Sequence, residues 1–228
     1  KSINNVKIIK SKFKGQVKQR IEGFKYVKND IVVQLDDDII LKHDCLERLI
    51  NVLNNNGDCA VSPNLFDINK KKSIYNRNQG LKRKIFNLIS HGKVNISHGI
   101  ITNSGFESYP ILNENNQGII STEWLVGGFV MHLKKNLILN DYFEFQGKAY
   151  CEDLYHSVLL KKKGVKLLID SSAIAYLNIE IETMFSYFSN LKNDMRIRKK
   201  FVLRENLNVF RMYFVYIILI FKRLLSGK

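Results

Sequence analysis

The sequence predicts an α/β domain whose sheet is mostly parallel and flanked by helices. Three observations carry that expectation: short β-branched apolar runs alternate with helical patterns, an aspartate triplet stands directly after one such run, and an acidic pair opens a later helix. Asp30 to Leu35 reads as a buried strand and ends abruptly in Asp36-Asp37-Asp38. Leu46, Leu49, Ile50 and Leu53 then recur at helical spacing, with Asp44 as N-cap and Asn56-Gly57 as the stop. Cys59 to Ser62 reads as the next strand, closed by Pro63. Between residues 64 and 120 Gly, Asn and Lys interrupt apolar pieces such as Val94-Asn95-Ile96, so loops and small strands are expected. Gly127 to Leu133 reads as a strand entered through a glycine pair. Glu152 to Lys163 has helical spacing, with Gly164 as its C-cap. Val165 to Ile169 and Ala173 to Leu177 are further strands, and from about Ile181 the chain is helical and basic.

Thirty-six basic against 21 acidic residues leave a formal charge of +15, which implies a polyanionic neighbour: nucleic acid, anionic lipid or a phosphorylated substrate. Cys45, Cys59 and Cys151 are odd in number and lack CxxC spacing, which argues against a disulfide framework or a cysteine zinc site. Val6 to Ile9 reads as an internal strand although the chain starts at Lys1, so a fragment is expected. Met212 to Phe221 is an uncharged apolar run, too short to span a bilayer, with Arg211 before it and Lys222-Arg223 after it. It reads either as a buried terminal helix or as a helix lying in a membrane interface; the flanking basic residues favour the interface. Lys192, Arg196, Arg198, Lys199, Lys200 and Arg204 form a basic stretch suited to the same surface.

Three consecutive carboxylates at the end of a strand repel one another unless a positive charge joins them, and ligands of open α/β sheets bind beyond such strand ends. If the strand alternation continues, Asp36 and Asp38 share one side and Asp37 takes the other. Two carboxylates on one side suit Mg²⁺ or Mn²⁺, completed by phosphate oxygens and water. The plainer alternative is an acidic loop that caps the next helix. Glu152 and Asp153 by themselves complement the dipole of their helix. Gly127 and Gly128 allow backbone to approach a sugar closely, or simply bend the strand. Trp124, the one tryptophan, either stacks on a sugar face or fills the core. His156 follows Glu152 by four residues and is expected to contact it locally.

Lys14 to Gly23, Asn29 to Val32 and Leu35 to Asp38 together resemble the central part of family 2 glycosyltransferases, which have the GT-A fold of nucleotide-diphospho-sugar transferases. The order that follows is similar to the family's second half: Trp124 to Phe129, then Glu152-Asp153, a helix, Gly164 and a strand. The resemblance implies a Rossmann-like catalytic domain over residues 1–180, with its first strands missing, and a basic helical extension over residues 181–228. It implies that Asp36 and Asp38 are the DXD carboxylates that hold Mn²⁺ or Mg²⁺, with Asp37 between them. Arg20, Asp36, Asp37, Gly127, Gly128 and Trp124 would serve the nucleotide-sugar donor. Asp153 would be the catalytic base, with Glu152 next in line. No histidine directly follows Leu177, where some relatives place a further metal ligand.

No Gln-x-x-Arg-Trp signature follows the acidic pair. Because that signature accompanies processive synthases, the resemblance implies transfer of a single sugar. The expected activity is inverting transfer to a glycan or lipid-linked acceptor in cell-envelope polysaccharide synthesis, at the cytoplasmic face of the membrane. Two other classes compete. A nucleotidyl- or phosphotransferase also uses clustered aspartates, but the sequence has no P-loop and no GxGxxG. A nucleic-acid-binding module would suit the charge, yet the basic residues gather beside the C-terminal apolar run, so no nucleic-acid partner is expected.

Overall fold

The computed structural model describes residues 5–75, 80–112, 118–145, 149–179 and 183–226. The chain opens with α1 (Gln16–Phe24), β1 (Ile31–Leu35), β2 (Ile39–Leu41) and α2 (Cys45–Asn55). It continues with β3 (Cys59–Asp67), β4 (Lys72–Ser73), α3 (Leu81–His91), β5 (Ile100–Ile101), β6 (Glu107–Ser108), β7 (Ile119–Thr122) and β8 (Phe129–Leu133). After a 3-10 turn at Lys134–Asn136 come α4 (Glu152–Lys162), β9 (Lys166–Leu177), α5 (Met184–Arg204) and α6 (Val209–Ser226).

The main sheet has the order β1-β8-β3-β9-β2, with β4 beside β3 and β7 beside β9; β5 and β6 form a separate small sheet. β1, β3 and β9 share one direction, and the parallel β3–β9 ladder runs from Cys59↔Lys166 to Asp67↔Leu177. β8 lies antiparallel between β1 and β3, a reversal that residue patterns do not encode. β3 and β8 are buried along almost their whole length, so both faces of the sheet are covered. One core joins α2 to β3, β8 and β9; a second gathers Val17, Ile21, Trp124, Leu154, Ile197 and Phe201 from α1, α4, α5 and the segment before β8.

Several expectations change in detail. Val6 to Ile9 forms no strand, and Val6 and Ile8 are exposed, because no ladder among the described residues takes them up. β3 passes through Pro63, where a register shift lets a residue without an N–H sit in the ladder. The two runs expected at Val165 to Ile169 and Ala173 to Leu177 belong to one strand, β9. Val94 to Ile96 is irregular, and the segment expected to hold only loops and strands contains α3, which ends at Gly92 with a left-handed φ of 89°. Asp44 stands at the N-cap of α2, but its carboxylate accepts from Arg48 at 2.8 Å instead of capping the helix. The onset of the C-terminal helices expected at Ile181 lies outside the described residues, and α5 begins at Met184.

Candidate functional site

The end of β1 turns at once: the amide of Ile39 donates to the Asp36 carbonyl at 3.4 Å, and Asp37 and Asp38 occupy the turn. The alternation expected for Asp36 to Asp38 is therefore replaced by turn geometry. Asp36 is half-buried while Asp37 and Asp38 are exposed. The Asp36 amide donates to the Gly128 carbonyl at 2.9 Å, which fixes the strand end against the start of β8. Gln34 is buried one turn of the pleat earlier, and its amide side chain donates to the Gly127 carbonyl.

The glycine pair is what brings the acidic groups to one rim. A Cβ on Gly128 would stand 3.1 Å from Asp36 Oδ2, and a Cβ on Gly127 would stand 2.9 Å from Glu152 Oε2 and 3.4 Å from Asp153 Cβ. Neither glycine has a left-handed φ, so close approach alone requires them. The turn at 127–128 thus touches the β1 carboxylates on one side and the N-terminus of α4 on the other.

Arg20 of α1 lies between these groups. Its Nη1 donates to Glu152 Oε1 at 2.5 Å, with side-chain exposures of 9% and 4%. Burial works against the Arg20 charge, but Glu152, Tyr142 and Asp36 outweigh it and hold the guanidinium above its ordinary value. Tyr142 donates its hydroxyl to the same Glu152 oxygen at 2.6 Å. Both contacts hold Glu152 in place. The expected Glu152–His156 contact is not made: His156 stacks on the Tyr142 ring instead, and it and the nearby His132 are buried, which pushes both imidazoles down to about 3.

Asp153 differs from its neighbour. Among the described residues its Oδ1 accepts only from the Leu154 amide at 2.9 Å, within its own helical turn. Burial pushes its carboxyl up to about 7; Glu107 and Glu152 add to the shift and Arg198 opposes it. A carboxyl with that affinity exchanges protons near neutrality. Asp36 is also raised, first by burial and then by Asp38, Glu152 and Asp37, with Arg20 opposing.

Among the described residues no group of three His, Cys, Asp or Glu side chains converges on a metal position. Asp36 and Asp38 are near enough to raise the Asp36 carboxyl together with burial, and the missing Cβ of Gly128 leaves room at Asp36 Oδ2. A two-carboxylate donor set of this kind fits Mg²⁺ or Mn²⁺ that takes its other ligands from phosphate and water. Trp124 is core: it is 2% exposed, its indole N–H donates to the Ser108 carbonyl at 3.0 Å, and Tyr109 packs edge-on against it. Tyr142, Glu107 and Arg198 are the partners that sequence patterns missed, because each meets the acidic pair only through the fold.

No curated protein matches the chain. Among solved structures, the chain is similar to a crystal structure of GalNAc-T7 with UDP, GalNAc and Mn²⁺, with a TM-score of 0.52 and 13% identity over 74% of this chain. The chain spans 31% of the length of that structure, and the likeness shows a shared GT-A fold. Residues 1–111, which include Arg20 and the aspartate triplet, match the family described as Glycosyl transferase family 2. Over that segment, just under half of its length, the chain is similar to glycosyl transferase family 2.

Proposed function

We propose that the chain carries the transfer centre of an inverting, metal-dependent glycosyltransferase that moves one sugar from a nucleotide-sugar to a glycan or lipid-linked acceptor. The observation that carries this reading is the turn at Gly127-Gly128, which places Asp36 and Asp153 on opposite sides of one rim. Asp36 and Asp38 would hold Mn²⁺ or Mg²⁺, whose positive charge offsets the charge of the departing nucleoside diphosphate. Asp153 accepts the proton of the acceptor hydroxyl as that oxygen forms its bond to the anomeric carbon. The bond from the anomeric carbon to the diphosphate breaks on the opposite face, so the configuration inverts. Arg20 keeps Glu152 engaged and adds positive charge beside Asp36. The solved relative with UDP and Mn²⁺ supports a diphosphate donor and a divalent cation.

No described helix is long and apolar enough to cross a membrane. For a lipid-linked acceptor, α6 would make peripheral contact at the cytoplasmic face, a reading that its outward Phe210, Phe214 and Phe221 support.

The test is release of nucleoside diphosphate from a panel of nucleotide-sugars in the presence of Mn²⁺ or Mg²⁺. Asp153→Asn should keep metal-dependent donor binding and lose transfer by about 10²-fold or more. Asp38→Asn should weaken donor binding itself. Transfer at wild-type rate by both variants overturns the assignment.

A further inference from the structure

Two helices outside the catalytic rim, α3 and α6, each turn an apolar stripe outward. On α3 Leu81, Ile85 and Leu88 follow i, i+4, i+7 and are exposed, Leu81 at 72%, while Asn87 and Ser90 face the protein. On α6 Met212, Val215 and Tyr216 are buried, and the opposite side carries Phe210, Phe214, Ile217 and Phe221 at the same spacing, Phe210 at 87% exposure. A helix that is apolar on its inner and outer sides alike needs a second apolar neighbour. Nothing among the described residues covers these outward sides.

The helices are fastened to each other. Arg211 of α6 donates from Nη1 to the carbonyls of Leu88 and Ile89, at 2.9 and 2.7 Å, which closes the C-terminal end of α3. Phe86 and Ile89 of α3 pack against the same cluster as Met212, Val215 and Tyr216. The two stripes are thus carried on one rigid pair.

Charge selects the occupant. Lys82 and Lys84 stand at about 100° and 60° from Leu81 around α3, on either side of its stripe, by the 100° per residue of a helix. Lys222 follows the α6 stripe, and among the described residues no acidic group pairs with any of these three lysines. An apolar ridge edged by lysines suits an anionic bilayer surface, where the side chains enter the acyl boundary and the ammonium groups meet the headgroups. A second copy of the chain would set +15 against +15.

We propose that α3 and α6 together form a docking platform for an anionic lipid bilayer, lying along it rather than across it. The proposal builds on the membrane contact of α6 given above and extends it to α3; it does not depend on the transfer chemistry.

The experiment is flotation of the full chain with phosphatidylcholine vesicles, with and without phosphatidylglycerol. Wild type should float with the anionic vesicles and be released as salt rises. Ile85→Glu/Leu88→Glu on α3 and Phe214→Glu/Phe221→Glu on α6 should each weaken vesicle binding by about tenfold or more. Far-UV circular dichroism and the melting temperature should stay unchanged, since all four side chains are exposed. Wild-type binding by the α3 variant, with loss in the α6 variant, overturns the platform and leaves the α6 contact standing. Failure of wild type to float removes both, and diphosphate release from the donor on transfer to a soluble acceptor would then still report separately on the transfer centre. A wild-type dimer that the substitutions dissociate would identify a second copy as the occupant and overturn the lipid proposal.

Discussion

Replacing Arg20 by methionine tests whether the acidic pair of α4 is divided between a structural and a chemical carboxylate. Arg20 and Glu152 are almost fully removed from water, so solvent screens their attraction only slightly. Removing one partner of such a pair costs about 3–5 kcal/mol, against a whole-domain stability of about 5–15 kcal/mol. Tyr142 still donates to Glu152, which places Arg20→Met at the lower end, about 3 kcal/mol. Glu152→Gln keeps the shape and an acceptor for Tyr142 but strands the guanidinium beside Asp36, for about 2–3 kcal/mol. In the double variant neither buried charge is left alone, so its loss should fall short of the sum by about 2 kcal/mol or more. Urea unfolding followed by circular dichroism at neutral pH reads all four proteins, provided the slope m stays constant. A coupling below about 0.5 kcal/mol would equal that of an exposed pair and refute the argument.

Further outcomes follow from the same rim. With Asp153 as the proposed base, transfer needs that carboxylate ionised, so its rate should rise about tenfold per pH unit below about 7 and level off above it. The fold binds that proton more tightly than the unfolded chain does, whose carboxyl titrates near 3.9. The group's contribution to stability is thus present in acid and lost as pH rises toward about 7. Glu107→Gln should move the rate midpoint downward, because Glu107 helps raise Asp153; an unmoved midpoint would assign the titration to another group. Gly127→Ala would force a Cβ to 2.9 Å from Glu152 Oε2 and should cost about 1–3 kcal/mol together with activity. Gly128→Ala crowds Asp36 Oδ2 at 3.1 Å and should raise the KM for donor with little change in melting temperature; equal effects of the two alanines on both readouts would contradict the division of the turn.

The parts legible in the sequence are those whose signal is local. The run of Ile31, Val32 and Val33, the helical spacing of Leu46, Leu49 and Leu53, and the Glu152 to Gly164 helix are each specified within a dozen residues, and the fold keeps them. α3 has a local signal as well, with Leu81, Ile85 and Leu88 before Gly92, but its apolar side faces outward and its buried side chains include Asn87 and Ser90. The usual rule of apolar inward fails there, and the segment reads as loop. Strand direction was not legible at all, since β8 is antiparallel only by virtue of what it pairs with. Site partners separated by long stretches of chain, such as Arg20 and Glu152, share no pattern that a sequence window contains. Trp124 remained open between sugar and core because its residue type suits both; the indole bond to Ser108 and the Tyr109 contact place it in the core.

The C-terminal helices and the acidic rim are joined by a single buried cluster. Arg198 of α5 donates to the Gly105 carbonyl at 2.7 Å, to both carboxylate oxygens of Asp194 at 3.2 and 3.1 Å, and to Glu107 at 3.3 Å. Burial acts against the Asp194 charge, but Arg198 and the hydrogen bonds from Tyr216 and Cys151 outweigh it and hold that carboxyl below its usual range. Tyr216 belongs to α6, and Cys151 is the N-cap of α4, held at a left-handed φ of 56° directly before Glu152 and Asp153. Gly105 permits this closeness: a Cβ there would collide with the Val202 side chain of α5. Arg198 and Glu107, themselves paired, then act on Asp153 in opposite senses, one lowering and one raising its affinity for a proton. A chain of hydrogen bonds therefore runs from Tyr216 of α6 through Asp194 to Cys151, directly before the first turn of α4. Through Tyr216 and Arg198 the same cluster reaches both α6 and Asp153, at the junction where the basic helices meet the sheet domain.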